Sequence, residues 1–341
     1  PMHWACVSLG GKSVDLSHHL PFVLLTRDSP FDVVHDHGSG YMRWLRCGVR
    51  VAHFHSDPGF SGDRKERFHL APTDFATICR HTDVRVAVSR FVAAEIERGM
   101  GQQQAVHIVS NGVDTDLYTP ETWAATRTDL RQSWGIGDQE TVFLFAGALT
   151  RSKGLIPLAH AFNSIFKTVP STHLVIAGSD RLWGNTVTRS TNSDELETEL
   201  RQLLETSLKS SHVHFLGKVP LMHMPSLYAA SDVVVVPSIC REGFGLVALE
   251  AMAGSLPVIA SRVGGLPEIV NDQMGLLVEP GNVDQLVSAM LHLASDPELR
   301  ALLGESGRQE ARRYSWLRAA EQLDGIYRTH MPSGVPHVAA Q

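Results

Sequence analysis

Short, nearly unbroken apolar runs alternate with helical patterns along the chain, and this alternation constrains the fold more than any other feature. Thr141-Val-Phe-Leu-Phe145, His173-Leu-Val-Ile-Ala177, Val213-His-Phe-Leu216, Val233-Val-Val-Val236 and Pro257-Val-Ile-Ala260 are such runs. An apolar run without polar alternation predicts a strand covered on both faces. Between the runs, residues 155–167, 193–209, 224–230, 246–253 and 284–293 carry helical spacing. Strand and helix in alternation predict parallel sheets with crossover helices. A weaker N-terminal set repeats the pattern at 31–35, 50–55, 84–88 and 107–110. There Ser89 is a candidate N-cap for a helix over 90–98, and Asn111-Gly112 is a turn signal. Two sets meeting near 120–140 predict an α/β protein of two Rossmann-like domains with a cleft between them. A last helical stretch, 316–330, lies beyond the second sheet. The segment Leu182 to Glu195 reads as a polar surface loop.

The length of 341 residues has room for two domains. Hydrophobic residues at 43% and charged residues at 19% describe a folded globular chain. A net charge of -6 supplies no basic field, so nucleic acid is not an expected partner. Cys6, Cys47, Cys79 and Cys240 lie far apart, with no metal-ligand spacing, which reads as reduced thiols of a cytoplasmic protein. No run reaches membrane-spanning length and no secretory pattern opens the sequence, leaving at most peripheral membrane contact open.

The segment Glu242-Gly-Phe-Gly-Leu-Val-Ala-Leu-Glu250 follows directly on the run at 233–236. In a parallel sheet, the loop leaving the C-terminal end of a strand faces the ligand crevice. Gly243 and Gly245 let backbone N–H groups approach a ligand, and the helix beginning near Gly245 turns unpaired donors toward it. A diphosphate suits that environment. Glu242 and Glu250, each able to accept two hydrogen bonds, suit the diols of a hexose and a ribose. The plainer reading is that both carboxylates decorate an amphipathic helix. Gly243, Gly245 and Ala248 also fit the pattern Gly-x-Gly-x-x-Ala of dinucleotide sites. Six residues separate Val236 from Gly243, however, whereas that fingerprint needs its first glycine in the turn next to the strand.

A second element is Phe145-Ala-Gly-Ala-Leu-Thr-Arg-Ser-Lys-Gly154, where a strand ends in a glycine-bearing loop with Arg151 and Lys153. Two cations there suit the charge that grows on a diphosphate leaving group; a solvated basic turn is the alternative. A third is the set His35, Asp36, His37, His53 and His55 at two strand ends. Spacing by two places His35 with His37, and His53 with His55, on common strand faces, so a metal site is geometrically open. Strand-end histidines more commonly face a polar ligand, and that reading is preferred. Asp114-Thr-Asp116 sits in the Asn-Gly turn and reads as turn chemistry.

Together these segments resemble the family-4 glycosyltransferases, retaining enzymes of the GT-B fold, over about Asp32 to Tyr327. Further segments carry the resemblance in the same order: Asp32-Val-Val-His-Asp-His37, Val86-Ala-Val-Ser-Arg-Phe91, Asn111-Gly-Val-Asp114, His214-Phe-Leu-Gly217, Ser231-Asp232, Pro237-Ser238 and Gly264-Gly-Leu-Pro-Glu-Ile-Val270. The resemblance implies a hexose-type sugar moved from a UDP- or GDP-sugar to a hydroxyl acceptor, which would be a glycan, a lipid-linked group or a small molecule. It implies retention and no metal cofactor. Glu250 would bind ribose hydroxyls; Glu242 and the amides of Gly243, Phe244 and Gly245 would hold the donor sugar. Lys153 and the amides of Leu246 and Val247 would bind the diphosphate, and backbone near Val219 would read the base. His55 would face the anomeric carbon, with Glu242, as the catalytic pair.

Residues 1–135 would form an acceptor-side domain and 136–315 the donor domain, the two facing each other across the cleft. The helix over 316–330 would cross back to the first domain. Ala148 stands where the family often has Arg, and Arg151 is the expected substitute. Only about thirty residues precede the Asp-Val-Val-His segment, with no convincing strand before Gly10, so the N-terminal domain is expected to be reduced. A nucleotide-sugar epimerase of similar fold and a donor-binding subunit with weak or no catalysis are the alternatives.

Overall fold

The structure, a computed structural model, describes residues 6–9, 12–15, 31–37, 47–56, 78–100, 105–179 and 193–331. The segment 180–192, read from sequence as most of a surface loop, and the tail after Met331 lie outside them. The chain divides into two compact units, Pro1–Ser110 with Leu317–Gln341, and Asn111–Trp316.

The first unit opens with β1 (Cys6–Leu9), paired antiparallel to β2 (Lys12–Asp15). The expectation of no strand before Gly10 is thereby corrected: Cys6–Leu9 pairs residue for residue with Lys12–Asp15, and this partner, which lies outside the apolar pattern, defines the strand. A parallel sheet follows, in the order β3 (Phe31–Asp36), β4 (Cys47–Phe54), β5 (Val84–Ala87), β6 (Val106–Ile108). Ser89 Oγ accepts the amide of Val92 at 3.1 Å and caps α1 (Arg90–Met100), the N-cap geometry expected of a serine there. Val49, Val51, Val84 and Val86 form the core of the sheet.

In the second unit, a 3-10 turn at Pro120–Trp123 leads into α2 (Ala124–Ser133), followed by β7 (Thr141–Ala146). A second 3-10 turn, Arg151–Lys153, precedes α3 (Leu155–Thr168) and β8 (Thr172–Ala177). The helical pattern at 193–209 is interrupted at Leu204 into α4 (Ser193–Leu203) and α5 (Glu205–Lys209), ahead of β9 (Val213–Gly217). Then come α6 (Met224–Ala229), β10 (Val233–Val236), α7 (Leu246–Ala253), β11 (Val258–Ser261), α8 (Leu266–Ile269) and β12 (Gly275–Val278). Two capped helices close the unit. Asn282 Oδ1 accepts from Gln285 N at the start of α9 (Val283–Ser295), and Asp296 Oδ1 accepts from Leu299 N at the start of α10 (Pro297–Ala311).

The six parallel strands run in the order β12-β11-β10-β7-β8-β9. Sequence order therefore reverses between β7 and β10, which are hydrogen-bonded neighbours. In an open α/β sheet that reversal opens a crevice outside the C-terminal ends of those two strands. Both glycine-bearing loops of the sequence leave from there.

The boundary drawn near 135 from sequence is corrected to 110–111. Residues 120–133 pack within the second unit because α2 brings two guanidinium groups to Asp232. Arg127 meets Asp232 at 2.7 Å and the buried Arg131 meets it at 3.0 Å, while Asp232 also accepts the amide of Val142 at 2.8 Å. Arg131 further donates to the carbonyls of Gly137 and Glu140, each at 2.6 Å. The last described helix is α11 (Trp316–His330), whose Ala319, Leu323 and Ile326, on one helical face, pack on the valine core of the first unit. Among the described residues, no helix is long and apolar enough to cross a membrane.

Candidate donor site at the strand-order reversal

Two loops meet at the reversal. The β7 loop ends at Gly154, which adopts φ +75°, and a Cβ built there would lie 1.8 Å from the carbonyl of Pro237 in the β10 loop. Only glycine permits that approach. From the same side, the carbonyl of Ser152 accepts the amides of Ile239 and Cys240 at 2.7 and 3.0 Å. The loops are thus fastened backbone to backbone, and Lys153 is held in register with the residues after Pro237.

The β10 loop is fixed from its other side by the turn after β11. Gly265 N donates to the carbonyl of Glu242 at 2.8 Å, and Gly264, at φ +60°, leaves no room for a Cβ beside the same carbonyl. Phe244 is buried, with its ring edge-on to Tyr314 at 6.0 Å between centroids. The ring is therefore an anchor of the loop. Gly245, in the left-handed region at φ +107°, turns the chain into α7 with no side-chain cap. Helix geometry leaves the first-turn amides, those of Leu246 and Val247 among them, without an intrahelical acceptor. They carry the positive end of the helix dipole, worth ~0.3–2 kcal/mol to an anion.

The charged groups converge at the junction of the loops. Lys153 Nζ and Glu242 Oε1 are 2.5 Å apart, and Ser238 Oγ donates to the same carboxylate oxygen at 2.6 Å. Both ends of the ion pair remain partly open to solvent. Arg151 is placed differently: its guanidinium grips Glu199 of α4 on the surface. Of the two cations that the sequence puts in this loop, Lys153 joins the site and Arg151 is engaged elsewhere.

Glu250 lies one helical turn deeper than the amides. Tyr228 donates its hydroxyl to Glu250 Oε2 at 2.7 Å, and Tyr118, edge-on to Tyr228 at 5.6 Å, supplies a further hydrogen bond. Burial raises the carboxyl above its ordinary value, and the two tyrosine hydrogen bonds only partly offset this. Neither tyrosine was singled out from sequence; Tyr118 precedes Glu250 by more than a hundred residues, with no local pattern joining them. Val219 follows β9, two strands from β7 in the sheet. At about 4.8 Å per strand the offset is roughly 10 Å, the scale of a nucleoside.

The histidines gather in the first unit. Parallel pairing of β3 with β4 brings His35 and His37 beside His53 and His55. His37 Nδ1 lies 2.7 Å from His55 Nε2, His53 Nδ1 lies 3.2 Å from His35 Nε2, and Tyr327 bonds to His35 Nδ1. Burial, reinforced by neighbouring imidazoles, pulls His35 to about 3, His53 to about 2 and His55 to about 4. Burial also lowers His37. All four rings are therefore neutral at neutral pH. Asp114, by contrast, accepts the amides of Asp116 and Leu117 at 3.1 Å, the turn chemistry expected of it.

The sequence profile described as "Glycosyl transferases group 1" matches residues 126–310, and that described as "Glycosyltransferase Family 4" matches residues 5–117. The chain is 31% identical over 313 residues to a D-inositol 3-phosphate glycosyltransferase of Corynebacterium urealyticum, covering 88% of this chain and 72% of that protein. It is 32% identical to a GDP-mannose-dependent alpha-(1-6)-phosphatidylinositol monomannoside mannosyltransferase of Mycolicibacterium smegmatis, over 75% of this chain and 66% of that one. Among solved structures it resembles Anabaena HepE in complex with UDP, with TM-score 0.74 and 22% identity, covering 87% and 79% of the two chains. A sucrose-phosphate synthase from Thermosynechococcus elongatus gives TM-score 0.75 and 25% identity, covering 95% and 82%.

Proposed function

This chain belongs to the group 1, family-4 glycosyltransferases, and from that premise we propose that it moves a hexose-type sugar from a UDP- or GDP-sugar to a hydroxyl acceptor with retention. The observation that carries the reading is the Lys153–Glu242 pair at the strand-order reversal, beside the uncapped start of α7. In our reading the pair opens when the donor enters. Lys153 and the amides of Leu246 and Val247 take the diphosphate. Glu242 and the backbone of Gly243, Phe244 and Gly245 take the sugar hydroxyls. Glu250, oriented by Tyr118 and Tyr228, takes the ribose, and backbone near Val219 takes the base. As the bond from the anomeric carbon to the diphosphate oxygen breaks, the electron pair leaves with the nucleotide, and Lys153 stabilises the charge that grows there. The acceptor hydroxyl adds on the same face and its proton passes to the departing phosphate oxygen. His55 is proposed, with Glu242, as a catalytic residue.

The acceptor class we favour is a polyol hydroxyl, free or lipid-linked, because relatives are named for inositol phosphate and phosphatidylinositol mannoside. With the diphosphate held by an ammonium and amides, transfer is expected to persist in excess chelator. The test is release of UDP or GDP from candidate donors, coupled to mass analysis of product. Nucleotide release with a glycosylated acceptor is expected; isomerised sugar without an acceptor would identify an epimerase instead.

Two further outcomes follow from the geometry. Arg151→Ala is expected to weaken donor binding less than loss of Lys153, since Arg151 must first leave an exposed ion pair worth ~0–1 kcal/mol. Calorimetry with the preferred nucleotide sugar reads this, and unchanged affinity would confine Arg151 to its partner Glu199. Glu250→Gln is expected to raise the melting temperature at neutral pH while weakening donor binding. A carboxyl raised in the folded state favours folding when protonated, and that contribution is lost as pH rises through its folded value. The glutamine removes the buried charge but still accepts from the tyrosines. A lowered melting temperature at neutral pH would contradict this account of Glu250.

A further inference from the structure

We propose that His35, His37 and His53 form a binding site for a borderline-soft divalent transition ion, with Zn2+ as the reference case. Each of the three offers a ring nitrogen, and these nitrogens all lie within 4.8 Å of one another. A tetrahedral zinc with nitrogen ligands at ~2.0–2.1 Å sets its ligands about 3.4 Å apart. Closing the set draws these nitrogens together from His35 in β3, His37 directly after it and His53 in the hydrogen-bonded neighbour β4.

The hydrogen-bond chain leaves a ligand atom unspent. Tyr327 meets His35 Nδ1, and His35 Nε2 meets His53 Nδ1. Each of these contacts uses one proton. If Tyr327 accepts from His35 and His35 accepts from His53, the chain ends on a bare lone pair at His53 Nε2. That atom is buried and has no hydrogen-bond partner, in a residue only 5% exposed. An unsatisfied buried nitrogen costs stability that a metal bond would recover. To bind the ion, His35 Nε2 exchanges its bond from His53 Nδ1 for the metal and keeps its Nδ1 bond to Tyr327; Tyr327 then acts as the outer partner that fixes the ring orientation and tautomer of a ligand histidine.

An all-imidazole set selects the ion. Nitrogen ligands suit Zn2+, Co2+, Ni2+ and Cu2+, whereas Mg2+ and Ca2+ require oxygen. The inference does not rest on the proposed sugar transfer, and Zn2+ binding is measured without any donor.

The experiment titrates chelator-treated full chain with Zn2+ by calorimetry and with Co2+ by visible absorption, with Mg2+ as control. The chain has 18 histidines, so the reading is the difference between proteins. Wild type is expected to take up one more tight equivalent than the double variant His35→Gln/His37→Gln. Its Co2+ spectrum is expected to show nitrogen coordination that the variant lacks, and Mg2+ is expected not to compete. The single variant His37→Gln, at an exposed position, is expected to bind Zn2+ at least ~10-fold more weakly, since loss of a mere outer partner of a ligand already costs that much. Circular dichroism verifies folding, and if the double variant unfolds, His37→Gln alone decides. Equal stoichiometry and affinity in wild type and His37→Gln would overturn the site.

Discussion

Lys153→Ala is expected to lower kcat/KM by ~10²–10³-fold, the scale on which loss of one preorganised charge-stabilising donor is felt. Lys153 is tied into the site by its own loop: Ser152, its neighbour, accepts two amides of the β10 loop, and Gly154 touches the carbonyl of Pro237. The backbone therefore places Lys153 at the reversal between β7 and β10, where its ammonium meets Glu242. Without it, Glu242 keeps Ser238 as a hydrogen-bond partner but loses its countercharge. An incoming diphosphate then meets an uncompensated carboxylate. The effect on melting temperature is expected to be small by comparison, because both ends of the pair are partly solvated. Steady-state kinetics with the preferred donor checks this, and kcat/KM equal to wild type would remove Lys153 from the mechanism.

The second large effect is structural and falls on the same loop. Gly264→Ala forces an L side chain into the left-handed region at φ +60° and sets its Cβ 2.1 Å from the carbonyl of Glu242 and 2.6 Å from its amide. The backbone term is ~1–2 kcal/mol and the overpacking term ~1–3 kcal/mol, so ~2–5 kcal/mol in all. That is a large share of the ~5–15 kcal/mol by which domains are stable. Gly281→Ala is the matched control: φ there is +73°, but nothing lies within 4 Å of the added Cβ, so only the backbone term of ~1–2 kcal/mol applies. Urea midpoints are expected to rank wild type above Gly281→Ala and Gly281→Ala above Gly264→Ala, with donor affinity lost only in the last. Equal midpoints for the two variants would contradict the packing of the β11 turn on Glu242.

Much of the candidate site is legible in the sequence because its information is local. Val233 to Val236 announces a buried strand, and the glycines after it announce a loop that ligand can approach. What sequence did not carry was pairing at long range. That Lys153 and not Arg151 meets Glu242 depends on Ser152 docking beneath Ile239, and that Glu250 is held by Tyr118 and Tyr228 depends on where α6 and α7 lie. The misplaced boundary has the same origin: Arg127 and Arg131 resemble ordinary surface charges of an amphipathic helix until Asp232 is placed beside them. Strand β12 was missed because Gly275-Leu-Leu-Val278 is too short to separate from a loop. Helix α10 was missed because Gly304 and Gly307 weaken its pattern. Gly304 is there for close approach, since a Cβ would lie 2.1 Å from the carbonyl of Ser255.

Thermal unfolding in the presence of UDP- and GDP-sugars reads directly whether the second unit binds a nucleotide sugar at the reversal between β7 and β10, as proposed above. One nucleotide class is expected to raise the midpoint in step with occupancy, equivalent to about 2.7 kcal/mol at a hundredfold excess over Kd. Glu242→Ala and Lys153→Ala are each expected to suppress that rise. A midpoint unmoved by every UDP- and GDP-sugar, or a rise undiminished in both variants, would contradict binding there.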